Sequence, residues 1–118
     1  MGNPVVHWEL AAKDPQKTSD FYTQLFDWKM THHPELQYWV AETGGEGGIN
    51  GGIMAPQGGA PNFVTFYVLV DDLDAYLAKA ESLGGKTIMG PMPIPGVGSC
   101  AMFQDPGGNC IGLYKGLE

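Results

Sequence analysis

Positive charge is scarce in this chain: six Lys and Arg stand against 13 Asp and Glu, a net charge of -7 over 118 residues. That balance repels a phosphate backbone and an anionic bilayer surface alike, so neither nucleic acid nor membrane is an expected partner. No run of about 18 apolar residues offers a membrane span, and no basic start leads into an apolar stretch, so a cytoplasmic protein is expected. Cysteine is nearly absent too. Cys100 and Cys110 show no CxxC spacing and cannot make a disulfide framework, which favours free thiols over a bond. GxSxG, GxGxxG and GxxxxGK[ST] are all missing, which removes the sequence signals of a nucleophile elbow and of a phosphate loop.

What is present is 43% hydrophobic residues, 18 Gly and 9 Pro, the composition of one small domain built from short elements. Residues 4–10 (PVVHWEL) alternate, with Val6, Trp8 and Leu10 on one face and Val5, His7 and Glu9 on the other, as in a strand. DPQKTSDFYTQLF then offers Asp14 as an N-cap, Pro15 at the first helical position, and Thr18, Phe21, Tyr22, Leu25 and Phe26 at helical spacing. Residues 28–32 and 37–42 read as a hairpin, and 49–54 as a weak fourth strand after a glycine-rich loop. At Asn62 the order restarts. A strand over 63–70 leads into a helix capped by Asp71 or Asp72 and stopped at Gly84, and three short strand-like runs follow over 86–89, 99–104 and 109–115.

The expectation is an α+β domain of two βαβββ modules, 4–55 and 62–116, joined by a linker over 56–61. Their sheets would form one curved mixed sheet around a shared cleft, with the helices outside. Polar residues inside good strands, and Gly112 in the middle of the last one, belong to the cleft side on this reading.

The repeated order, the opening HWELAAKDPQKTSDFYTQLFDW and the ending FQDPGGNCIGLYK resemble the vicinal oxygen chelate superfamily, which includes glyoxalase I, bleomycin-resistance proteins and extradiol dioxygenases. The resemblance implies the fold and leaves the reaction open, because isomerases, lyases, epimerases, dioxygenases and metal-free binding proteins share that scaffold. Metal-dependent members place ligands on the first and fourth strands of each module. By resemblance those positions fall on His7, the Gly51-Gly52 pair, Thr65 and Gly112. One imidazole is too few for a divalent ion that needs about three protein ligands, so no metal cofactor is expected. The resemblance also implies a homodimer.

Candidate site residues follow from strand alternation. His7 reads either as a ligand-binding group or base titrating near neutrality, or as a plain cleft-wall histidine. Glu9 shares its face and reads either as a partner in proton transfer or cation binding, or as a strand-end carboxylate reaching solvent. Thr65 and Tyr67 share one face of their strand, with Val64, Phe66 and Val68 on the other under the helix; with Thr65 at the ligand position the resemblance implies, both line the cleft, and the plain alternative is β propensity. If the DPGG turn pairs Asp105 with Gly108, then Cys110 opposes Phe103, Ala101 opposes Gly112 and Ser99 opposes Tyr114. Ala101, Phe103, Gly112 and Tyr114 would then line the cleft, with room for a ligand above Gly112. Adjacent His32 and His33 point to opposite sides of a strand and lie outside the site.

Two functions remain. The first is a metal-free protein holding a small organic ligand, with an acidic bias towards cations. The alternative is an enzyme of the same superfamily, a lyase, isomerase or dioxygenase, using a non-standard metal site or His7/Glu9 acid-base chemistry. A structural or interaction module is the least favoured class.

Overall fold

The computed structural model describes residues 2–117. Its elements run β1 (Val5–Ala11), α1 (Pro15–Phe26), β2 (Lys29–His33), a short 3-10 turn, β3 (Tyr38–Glu42), β4 (Gly51–Met54), β5 (Phe63–Leu69), α2 (Leu73–Ser82), β6 (Lys86–Ile94), β7 (Gly98–Gln104) and β8 (Cys110–Gly116). This is the expected α+β order of βαβββ twice. The chain divides into two compact units, residues 6–65 and residues 66–117 together with 2–5.

In the first unit the strand order is β2-β3-β4-β1, with β4 parallel to β1 and the remaining neighbours antiparallel. Asp14 caps α1 by accepting the Lys17 N–H at 3.1 Å, and Pro15 takes the first turn, where no intrahelical donor is missed. The helix ends at Asp27, whose left-handed backbone (φ 59°) lets its N–H reach the Thr23 carbonyl at 2.9 Å. Trp8, Tyr22 and Trp28, all half-buried, gather between α1 and the sheet, with Trp28 centred 5.4 Å from Trp8 and 5.4 Å from Tyr22, and the exposed Phe26 ring borders them 5.1 Å from Trp28. Offset and tilted rings at such separations add to the area they bury. Phe21, Leu25 and Phe26, all at helical spacing, stay more than half exposed.

The second unit repeats the plan as β5-β8-β7-β6, with β8 parallel to β5. Asp72, not Asp71, is the cap, accepting the Ala75 N–H at 3.0 Å. Gly84 follows the helix at φ +99°, a conformation that favours glycine. Val70, Leu73, Leu77, Ala101 and Leu113 form the core under α2, with Val68, Tyr76 and Phe103 against it. Each buried Leu contributes about 1.5–3 kcal/mol. The segment before β1 docks onto this unit: Leu69 N–H donates to the Pro4 carbonyl at 2.9 Å, and the Asn3 amide donates to the Leu69 carbonyl at 3.0 Å.

Three expectations change. Strand β6 is twice as long as its sequence signal, continuing through Pro91 and Pro93 with register breaks around Met89. It is terminal in its strand order, where a missing N–H removes no ladder bond on the outer side. Val64 and Phe66 are exposed rather than under a helix, and only Val68 joins the core.

The third change is the β7–β8 register. The expected turn forms, Gly108 N–H donating to the Asp105 carbonyl at 3.0 Å, but the ladder starts one residue later: Asp105 N–H donates to the Asn109 carbonyl at 2.8 Å, and Asn109 N–H donates to Asp105 Oδ1 at 2.9 Å. Hence Gln104 opposes Cys110, Met102 opposes Gly112, Ala101 opposes Leu113 and Cys100 opposes Tyr114. A slip of one residue exchanges the faces of a strand. Ala101 and Phe103 therefore lie in the core under α2, away from the face of Gly112. Cys100 is buried and Cys110 exposed, and no disulfide joins them.

Candidate functional site

The face of the first unit opposite α1 carries the most chemically distinctive cluster. Alternation along β1 sends Trp8 to the helix side and His7 and Glu9 to the other. Glu9 is only 7% exposed, so the reading of a solvated strand-end carboxylate is overturned. Its partner comes from β3. The Tyr38 hydroxyl donates to Glu9 Oε2 at 3.1 Å and lies 2.8 Å from His7 Nε2. With Glu9 ionised, the phenol proton goes to Glu9 and the phenol oxygen accepts from His7 Nε2–H, which leaves the ring lone pair on Nδ1. Burial lowers the His7 pKa, so the neutral imidazole persists to lower pH than in an exposed histidine.

Tyr38 was invisible to strand alternation, because β4 stands between β3 and β1 in this sheet. Gly52 opens the way. It pairs with Glu9 on one side and Val40 on the other, and a Cβ at Gly52 would run into the Tyr38 phenol. Its neighbour Gly51 pairs with Trp8 and leaves space on the opposite face for the indole, whose Nε1–H donates to the Ile49 carbonyl at 3.0 Å. The Gly-Gly pair therefore carries one aromatic ring on each face.

The second unit repeats the device. Tyr67 pairs with Gly112, and a Cβ on Gly112 would strike the Tyr67 ring. The room expected above Gly112 for a ligand is thus filled by Tyr67. Tyr114 shares that face of β8, and its hydroxyl donates to the Val97 carbonyl at 2.9 Å. Thr65 is buried at 5% exposure. His32 lies apart, stacked on Trp39 at 4.1 Å between ring centres, while His33 Nδ1 lies 3.5 Å from Glu35.

The divalent metal of the superfamily can be tested against these residues. Two of its four expected positions, Gly52 and Gly112, offer no donor and are covered by tyrosine rings. Among the described residues no three His, Cys, Asp or Glu side chains come together as a metal site. The family ligand set does not fit here.

Comparison with known proteins agrees with the fold and the repeat. The Glyoxalase/Bleomycin resistance protein/Dioxygenase superfamily pattern matches residues 5–113, and the chain belongs to that superfamily. It is 30% identical to the anthracycline biosynthesis protein DnrV of Streptomyces peucetius, over 92% of this chain and 45% of that protein. The chain thus spans about half the length of the curated relatives it matches. Among solved structures, methylmalonyl-CoA epimerase from Mycobacterium tuberculosis superposes with a TM-score of 0.69 at 17% identity, covering 97% of this chain and 88% of that one. The Mn(II)-bound glyoxalase from Novosphingobium aromaticivorans also gives 0.69 at 17% identity, over 96% of this chain and 38% of that one. At such identities the likeness is one of fold. No helix among the described residues is long and apolar enough to cross a membrane.

Proposed function

We propose that the protein is a metal-free member of its superfamily that holds a small organic ligand against the face where His7, Glu9 and Tyr38 meet. The observation that carries this reading is the single phenol bonded to both His7 and Glu9 across bare Gly52, where metal-dependent relatives by resemblance carry a ligand. A donor-acceptor chain of this kind orients a polar group of the ligand, and the ring supplies a stacking surface. The name of the relative DnrV supports an aromatic ligand of natural-product type. A cationic centre on the ligand would be drawn to Glu9. Thr65, Tyr67 and Tyr114 remain proposed contributors to binding, and Gly112 contributes by admitting the Tyr67 ring. We place the protein in the cytoplasm as a homodimer.

The second reading is an enzyme that moves a proton without a metal. It is favoured by the His7 tautomer: Nδ1 is the basic atom, and Nε2–H, Tyr38 and Glu9 form a relay behind it. Burial keeps that base neutral near physiological pH.

The deciding experiment is elemental analysis of the purified protein with calorimetric titration of nickel, zinc, manganese and iron(II) on wild type and His7→Ala. No binding is expected. Stoichiometric tight binding that vanishes in His7→Ala would overturn the metal-free reading. A screen of aromatic ligands on wild type, Tyr38→Phe and Glu9→Gln then separates receptor from catalyst, since only a catalyst converts what it binds.

A further inference from the structure

The second unit holds a groove beside its helix. It lies between α2 and the sheet, encloses about 340 Å³, and is walled by Val68, Val70, Leu113 and Phe103 from the sheet and by Ala80 and Leu83 from the helix. That volume falls within the range of small-molecule sites, about 300–1,000 Å³. Counting from the capping aspartates explains why the space exists. Tyr22 stands eight positions after Asp14, and Ala80 stands eight after Asp72; Phe26 stands twelve after Asp14, and Gly84 twelve after Asp72. Where the first helix sets the half-buried Tyr22 ring against Trp28, the second has the methyl group of Ala80, which lines the groove. In the first unit Tyr22 stacks on Trp28, which in turn meets Trp8, and all three rings are half-buried there. The second unit leaves the groove open, with Leu83 at its rim 70% exposed.

Two charged residues border the groove, Lys79 and Asp105. The Asp105 carboxylate accepts from the Asn109 N–H at 2.9 Å and from the Asn109 amide at 3.0 Å, so it is committed to the β7–β8 turn. Lys79 has no ion pair among the described residues. An apolar slot with an ammonium at its mouth selects a flat apolar body ending in an anion.

We infer that this groove is a second binding site, for a planar aromatic molecule bearing one anionic group. It takes the place that the Tyr22 ring holds beside the helix of the first unit. The inference does not depend on the His7 site, which stands on the other unit.

The test uses 8-anilinonaphthalene-1-sulfonate, an anionic planar fluorophore, and its uncharged counterpart N-phenyl-1-naphthylamine, titrated into the folded protein. Wild type is expected to bind one molecule of each. Ala80→Phe, which rebuilds the ring of the first unit, should weaken both by about tenfold or more. Lys79→Gln should weaken the sulfonate several-fold and leave the neutral dye unchanged. His7→Ala should change neither. If circular dichroism shows Ala80→Phe unfolded, Ala80→Leu takes its place as the smaller filling. The inference is overturned by absent binding at millimolar dye, by binding that survives the filling substitution, by loss of binding in His7→Ala, or by a protein dimer that excludes both dyes.

Discussion

Tyr38 lies over Gly52, its ring crossing the bare backbone of β4 so that a hydroxyl from β3 reaches His7 and Glu9 on β1. Tyr67 and Gly112 repeat the arrangement in the second unit. In both units the glycine of the fourth strand makes room for a tyrosine of the same chain. Gly52→Ala should displace the phenol and destabilise the fold by about 1–3 kcal/mol, as overpacking of a filled site does. Urea denaturation measures the loss, and Gly112→Ala should give one of the same order. A neutral effect at both positions would show that the rings move aside without cost.

Tyr38→Phe keeps the ring and removes the hydroxyl. Glu9, 7% exposed, then loses one donor, at a cost of about 1–3 kcal/mol. A double-mutant cycle with Glu9→Met, which removes the acceptor at similar side-chain length, isolates the coupling between the two groups. If the two losses simply add, the hydrogen bond contributes nothing and the relay reading loses its basis.

His7 makes stability depend on pH with a definite sign. Its folded pKa lies below the ordinary 6.5 because burial disfavours the cation. The unfolded chain therefore takes up the proton first on acidification, and the native state loses stability as pH falls below about 6.5 towards the lower folded value. Above 6.5 the group contributes no slope. Thermal unfolding followed from pH 7.5 to 5 should show the decline, and His7→Gln should flatten it. An identical slope in His7→Gln would assign the decline to other groups.

The two thiols should differ in reactivity. Cys110 is exposed and Cys100 buried. A thiol reagent is expected to titrate Cys110 in the native protein and both residues after unfolding. Cys110→Ser should abolish the native reaction. Persistence of that reaction in Cys110→Ser would mean that β7 opens readily enough to expose Cys100.

Local chemistry was legible in the residues alone. Aspartate caps, proline at a first turn, glycine stops and period-two alternation act within a few residues, so the order βαβββ twice, both helix starts and the position of Gly112 at a special site could be read directly. The resemblance to the glyoxalase superfamily rested on the same signals. What alternation could not supply was the number of residues spent in the β7–β8 turn. The Asp105–Asn109 bonds absorb one more than a tight turn would, and that residue moved Ala101 and Phe103 from the expected site into the core. Nor could it supply contacts that skip a strand, such as Tyr38 reaching over β4. The sequence by itself determined the class of fold and where its glycines stand. Tertiary structure decided which ring covers each glycine, that Glu9 is buried with a partner, and that a groove opens behind α2, because those outcomes depend on side chains brought together from strands far apart in the chain.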